Sequence, residues 1–417
     1  MPGAASASGL AVGPADVAAA RRAIADVARH TPVLPSLTVS QRTGAEVALK
    51  AESLQRTGSF KLRGALNKLA ALGDRCARGV TAGSAGNHAW ACAQAAEARG
   101  VPCEVFMPEE APLSKVEGCR LHGAVVHIGG HSVDDCVALA RARADEAGMA
   151  FVHPFDDADV IAGQGTLGLE LLEDVPDLAK VVVPVGGGGL SSGVAMAVKS
   201  ARPSVEVVGV QVETVAAFPD SLRRGEPVGV DAALTIADGI AVKRPGEITL
   251  PLVRHWLDDV VVVPEDDVAE AMVLCLEKAK LVVEGAGAVG VAALLGGQTR
   301  AARTGATVVV LSGGNVDAGL LASVARRHET EAGRRLVLFT RVPDRPGALA
   351  RLLVLVGETG ANLIHVEHLR EGVDLHVRET GVQLVLETRG SDHAAEVLRC
   401  LREADYEAEP MGQRSGG

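Results

Sequence analysis

Short apolar runs rich in valine alternate along this chain with longer segments whose apolar residues return every three or four positions. The runs VPCEVFMP (101–108), AVVHIGG (124–130), KVVVPVGGGG (180–189), VEVVGVQVE (205–213) and ATVVVLSGG (306–314) each end in Pro, Gly or a polar turn. Such runs read as strands buried on both faces. Residues 133–146 and 265–280 carry helical periodicity, and 16–29 reads as an opening helix behind an Asp cap. From about Glu46 onward this alternation predicts an α/β fold with parallel-sheet cores covered by helices.

The pattern changes near Arg326. RRHETEAGRR is charged and lacks an apolar face, so 326–334 reads as a linker. Beyond it come a strand (335–342), a helix (346–358), strands at 362–369 and 381–389, a helix (392–403) and a short last strand. That βαββαβ order predicts a ferredoxin-like domain over 335–412. Residues 1–15 read as a disordered leader and 16–325 as the main domain.

Composition narrows the function. The 417 residues are 47% hydrophobic and only 2% aromatic, which asks for aliphatic packing in two or three domains. A net charge of -11 without Lys/Arg clusters argues against a nucleic-acid partner. Seven cysteines, at 76, 92, 103, 119, 136, 275 and 400, are scattered without any CxxC, which predicts reduced thiols in a cytoplasmic protein. No signal peptide and no membrane span is expected.

Two features carry chemistry. In VVVPVGGGGLSSG (181–193) four glycines follow a strand and open a helix, an arrangement whose backbone N–H groups can close around a phosphate. A plain βα turn would need only two of them. GAGAVG (285–290) matches a dinucleotide fingerprint formally, but no acidic residue follows at the required distance, so it reads as a close-packed helix. The second feature is TGSFKLRGA (57–65), where Lys61, one of nine lysines, follows an aromatic residue at the start of a helix that Ser59 is expected to cap. A phosphate cup and such a lysine suggest pyridoxal phosphate, whose aldehyde condenses with a lysine amine. The positive helix end should lower the amine pKa. From spacing alone a solvated surface lysine stays open as the alternative.

TGSFKLRGA, SAGNHA (84–89), HPFDD with IAGQGTLGLEL (153–171), GGGGL (186–190), ADGIAV (237–242) and SGGNVD (312–317) resemble, in order, the motifs of the threonine dehydratase family of fold type II pyridoxal-phosphate enzymes. The resemblance spans about 16–325. The tail resembles an ACT domain through VPDRPGALARLL (342–353) and ANLIHVEH (361–368), which together look like the medium-length form. The resemblance implies a two-lobed, tryptophan synthase β-like domain with a small lobe inserted at about 52–157. It makes Lys61 the Schiff-base lysine and catalytic base, with Phe60 beside the ring and Asn87 on the 3′-oxygen. Gly186, Gly187, Gly188 and Gly189 would hold the phosphate, Ser312 would meet the pyridine nitrogen, and Gly239 and Glu284 would lie near the ring. Ser84, Asn87 and His88 would receive the substrate carboxylate.

The implied reaction is β-elimination of L-threonine to 2-oxobutanoate and ammonia, with L-serine to pyruvate beside it, in amino-acid metabolism that includes isoleucine biosynthesis. A hydroxyl at 312 cannot keep the ring nitrogen protonated, and elimination tolerates that weaker electron sink. Ala85 stands where related serine racemases carry a proton-donating serine, so racemisation should be negligible. The histidines at 122, 127, 131 and 153 lack ligand spacing, and Glu213 lacks the companion aspartate of some relatives, so no metal is expected. For the tail the resemblance implies an amino-acid effector site at Asp344, Gly347 and Asn362, between subunits of a homodimer or homotetramer. A β-replacement synthase, a lyase for another β-hydroxy amino acid and an amino-acid-sensing protein without catalysis are the alternatives.

Overall fold

The valine-rich runs become inner strands of two sheets in the computed structural model, which describes residues 10–231, 233–371 and 375–411. The chain divides into two compact units, Met1–Asp317 and Ala318–Gly417. In the first, a six-stranded sheet runs in the order Val33–Pro35, Val47–Ala51, Ala306–Leu311, Leu178–Pro184, Glu206–Val212, Asp259–Val263. Only Val33–Pro35 is antiparallel to its neighbour. Val181, Val182 and Val183 are fully buried, as a strand covered on both faces requires.

Between Val47–Ala51 and Leu178–Pro184 the chain builds a second, wholly parallel sheet in the order Val125–Ile128, Cys103–Met107, Val80–Gly83, Ala150–Phe151. Helix Asn87–Arg99 covers it with alanines at 89, 91, 93, 95 and 96, all buried. These small side chains let the helix Lys61–Leu72 pack closely beside it through Leu62, Ala65, Leu66 and Leu69. In the three parallel strands that lead into site loops, the loop follows the carboxyl end, where open α/β sheets bind ligands.

Several expected boundaries move. Residues 1–9 of the expected leader lie outside the described residues, but 10–15 are ordered: Val12 is buried against Ile161 and Met196, and the Gly13 N–H donates to Asp16. The opening helix is Pro14–Ile24, ending five residues early because the Arg29 N–H turns to the Gln55 side chain. Residues 265–280 form a helix, Glu265–Leu274, and a π-helical turn, Cys275–Ala279. GAGAVG lies in the buried helix Gly285–Leu295. The run 326–334 is mostly helix, not linker, since Ala318–Glu331 extends through it; Arg327 pairs with Glu331 one turn on, and Thr330 Oγ1 donates to the Arg326 carbonyl.

The second unit has a four-stranded antiparallel sheet in the order Asn362–Leu369, Glu379–Glu387, Arg335–Pro343, Glu409–Pro410, with helices Ala348–Glu358 and Ser391–Glu403. The connectivity is βαββαβ. Alternate residues of Arg335–Pro343 are buried, which aims Leu336, Leu338 and Val342 at the same core as Leu352, Val356 and Leu401. Residue 412 of the expected domain lies outside the described residues.

Beneath the Lys61 helix sits a buried charge cluster. Arg63, 1% exposed, reaches Glu52 at 2.8 Å and Glu170 at 2.6 Å, and fully buried Lys50 reaches Glu170 at 2.7 Å. Burial pushes Glu170 up, yet Arg63 and Lys50 outweigh it and hold the carboxyl below its ordinary value. Its contribution to stability is therefore complete above the ordinary glutamate range and is lost as pH falls through the lower folded value. Removing one partner strands the others. Arg63→Met is expected to lower the free energy of unfolding by about 3–5 kcal/mol in denaturant titrations, and an unchanged midpoint would refute the cluster's role.

Candidate active site

Two distant stretches are joined at the site by backbone pairing. Ser59 bridges antiparallel to Gly313, the Phe60 N–H donates to the Ser312 carbonyl (3.0 Å) and the Gly314 N–H donates to the Gly58 carbonyl (2.9 Å). Asn315 Nδ2 adds a bond to the Thr57 carbonyl (2.7 Å). Ser59 is thus consumed by the bridge and does not cap the Lys61 helix; its hydroxyl is buried without a partner, and Phe60 occupies the cap position. The helix therefore starts at Lys61, directly beside the end of strand Ala306–Leu311.

A cavity of about 280 Å³ opens there. Phe60, Lys61, Ser84, Asn87, His88, Gly186, Gly187, Gly188, Gly189, Gly239, Glu284 and Ser312, all singled out in the sequence, line it together. Asp344, Gly347 and Asn362 lie in the second unit. There Asp344 is paired with Arg370 (2.9 Å), Asn362 Nδ2 donates to Glu387 (3.0 Å), and Gly347, in the left-handed region, precedes helix Ala348–Glu358.

Lys61 Nζ donates to the Pro154 carbonyl (2.9 Å) and lies 5.2 Å from the Phe60 ring centroid. Burial lowers its pKa to about 8, against the raising influence of Cys92 and Glu284. Desolvation makes the amine available. At pH 7 about a tenth of such amines are neutral, against roughly one in three thousand for an ordinary lysine.

The glycine loop leaves strand Leu178–Pro184 and enters helix Gly189–Ala201. The Phe155 ring lies on Gly187 so closely that a Cβ there would come within 2.3 Å of it, and Gly188 has φ of +93°. Only glycine serves at either position. Helix Asn87–Arg99 begins in the next loop, where Ser84 Oγ accepts the Gly86 N–H (3.1 Å). The His88 ring turns inward to the Val152 carbonyl (2.9 Å), and burial lowers its pKa to about 3, so the neutral ring is structural and only its backbone N–H remains for a ligand.

Glu284 is buried and accepts from Asn87 Nδ2 at 2.8 Å. Burial, then the charge of Asp238, raises its pKa to about 7. Among the lining residues that sequence reasoning did not single out are Pro154, Phe155, Lys115 and Asp238. Lys115, on helix Leu113–Leu121 of the smaller sheet's lobe, pairs at 3.0 Å with Asp238 of the turn before Gly239. HPFDD and ADGIAV marked three of these, whereas nothing near Lys115 announces it. Among the described residues no group of three or more His, Cys, Asp or Glu is placed to hold a metal ion.

A primary amine with a lowered pKa, a glycine cradle that any Cβ would fill and a helix N-terminus fit the aldehyde and phosphate of pyridoxal phosphate. Residues 24–313 match the family model "Pyridoxal-phosphate dependent enzyme", and 336–405 match "ACT domain". The chain is 45% identical to the L-threonine ammonia-lyase of Thermotoga maritima over 95% of its own length and 99% of the relative's. It is 42% identical to the catabolic L-threonine dehydratase TdcB of Escherichia coli, covering 72% and 92%. Among solved structures it resembles a T.th. threonine deaminase (41% identity, TM-score 0.68, 73% and 99% covered) and maize serine racemase (35%, 0.72, 77% and 99%). The chain belongs to the pyridoxal-phosphate-dependent enzymes of fold type II, with an ACT domain behind the catalytic fold.

Proposed function

We propose that this protein deaminates L-threonine to 2-oxobutanoate and ammonia, the β-hydroxyl leaving as water and one water returning to release the ammonia, with L-serine going to pyruvate and ammonia as a side reaction. The observation that carries the reading is a buried amine, Lys61, in one cavity with the glycine loop, Ser312 and the Ser84–His88 turn. Bound pyridoxal phosphate supplies the electron sink that makes an amino-acid α-proton removable. Lys61 would hold the aldehyde carbon at rest and, once the substrate amine displaces it, would be free to take the α-proton. The amides of Gly186–Gly189 would hold the phosphate. Ser312 would partner the ring nitrogen without charging it. Ser84 and the first amides of helix Asn87–Arg99 would orient the substrate carboxylate, and Asn87, held by Glu284, would keep the ring in register.

Ala85 lines the cavity and offers no proton donor opposite Lys61, which favours elimination over the racemisation named for the maize neighbour. For the second unit we infer an amino-acid effector, isoleucine foremost, at Asp344, Gly347 and Asn362 between paired subunits of a homodimer or homotetramer, which sedimentation reads directly. Seven free thiols, six of them buried, fit a cytoplasmic enzyme.

Purified, cofactor-loaded protein is expected to release 2-oxobutanoate from L-threonine and pyruvate with only trace D-serine from L-serine, and Lys61→Ala to lose about 10³-fold or more of either rate. No oxoacid from either amino acid, despite bound cofactor, would overturn the reading. In the same assay, isoleucine should shift the threonine saturation curve and Asp344→Ala should abolish the shift; an unmoved wild-type curve with isoleucine, valine and other amino acids would end the effector proposal.

The neutral amine is the nucleophile, so uptake of pyridoxal phosphate by the cofactor-free protein should accelerate about tenfold per pH unit up to the Lys61 pKa of about 8 and then level off. Stopped-flow absorbance measures it. A rate still climbing well above that pH would show an ordinary, solvated lysine.

A further inference from the structure

One four-residue segment, His153–Asp156, touches both halves of the cofactor cradle. The Pro154 carbonyl accepts from Lys61 Nζ and the Phe155 ring lies on Gly187. Asp156 reaches elsewhere. Its carboxylate accepts the N–H groups of Glu247 (3.0 Å), Ile248 (2.9 Å) and Thr249 (3.1 Å), which open helix Thr249–Trp256.

Thr249 is fully buried, and its hydroxyl donates to the Gly187 carbonyl at 2.6 Å while accepting the Gly246 N–H at 3.1 Å. Its Cβ is also so near Gly188 that a side chain there would come within 2.9 Å. A peptide unit whose carbonyl is fixed has its next N–H fixed as well, because the peptide is planar. Fixing the Gly187 carbonyl therefore aims the Gly188 N–H. The segment's own shape is set by His153, whose Nδ1 accepts the Asp156 N–H at 2.8 Å.

We propose that Asp156 and Thr249 are positioning residues for the phosphate loop: Asp156 anchors the helix start that carries Thr249, and Thr249 orients the Gly187–Gly188 peptide toward the cofactor phosphate. The segment that engages the lysine thereby also sets the glycine loop, so the two anchoring points of the cofactor are adjusted together. This rests on the cofactor the family uses and not on which amino acid is the substrate.

The test is equilibrium titration of cofactor-free full-length protein with pyridoxal phosphate, read by the visible absorbance of the bound form. Thr249→Val, which keeps volume and loses the hydroxyl, is expected to weaken binding about tenfold or more, while Thr249→Ser, which restores the donor, stays within about threefold of wild type. Asp156→Asn should weaken binding by a similar factor, and the Asp156→Asn, Thr249→Val pair should be no weaker than the worse single variant, because both act through one carbonyl. The proposal is overturned if Thr249→Val binds like wild type, if Thr249→Ser is as weak as Thr249→Val, or if the two effects multiply. Oxoacid release is measured separately, so a protein that binds cofactor normally but does not turn over threonine counts against the reaction and leaves the titration decisive.

Discussion

The pairing of Thr57–Phe60 with Ser312–Asn315 is the constraint on which the site depends. Two backbone hydrogen bonds, which form the Ser59–Gly313 bridge, and the Asn315 side chain join segments about 250 residues apart in sequence, and Lys61 and Ser312 line the same cavity. Asn315 Nδ2 also reaches Asn87 Oδ1 at 2.9 Å, and Asn87 in turn reaches Glu284. The same short zipper thus places the residues assigned to the lysine, the ring nitrogen and the 3′-oxygen. Since these bonds are buried, breaking one would strand a polar group, so the arrangement is stiff as well as specific.

Burial then sets the chemistry. The low polarity that draws Lys61 down toward neutrality also pushes Glu284 up and keeps His88 uncharged. A site that must hold an anionic phosphate beside a free amine gains from having few competing charges. The true ionic cluster, Arg63 with Glu52, Glu170 and Lys50, lies one helical face away, where it secures the helix without charging the cavity.

Much of this was legible beforehand. The valine runs and their glycine ends announced the parallel sheets, because strands covered on both faces need continuous apolar sequence. The glycine loop, with four glycines where a turn needs two, and Lys61 suggested pyridoxal phosphate, and the family match is to enzymes that depend on it. Other features were not legible. Ser59 looked like a helix cap because local spacing cannot show a bridge to Gly313. RRHETEAGRR looked like a linker because a helix supported by ion pairs and hydroxyl contacts needs no apolar stripe. Lys115 and Asp238 meet only through the approach of two lobes. Thr249 acts through a hydrogen bond to the Gly187 carbonyl and Asp156 by accepting three backbone N–H groups, and no sequence pattern encodes those.

The central claim is that Lys61, and none of the other buried lysines, receives the cofactor. Lys50 is fully buried and Lys115 lines the same cavity, so both are real competitors. Borohydride reduction of the cofactor-loaded protein followed by peptide mapping decides among them. A single phosphopyridoxyl label on Lys61 is the predicted result; a label on Lys115 or Lys50, with Lys61 unmodified, would contradict the account.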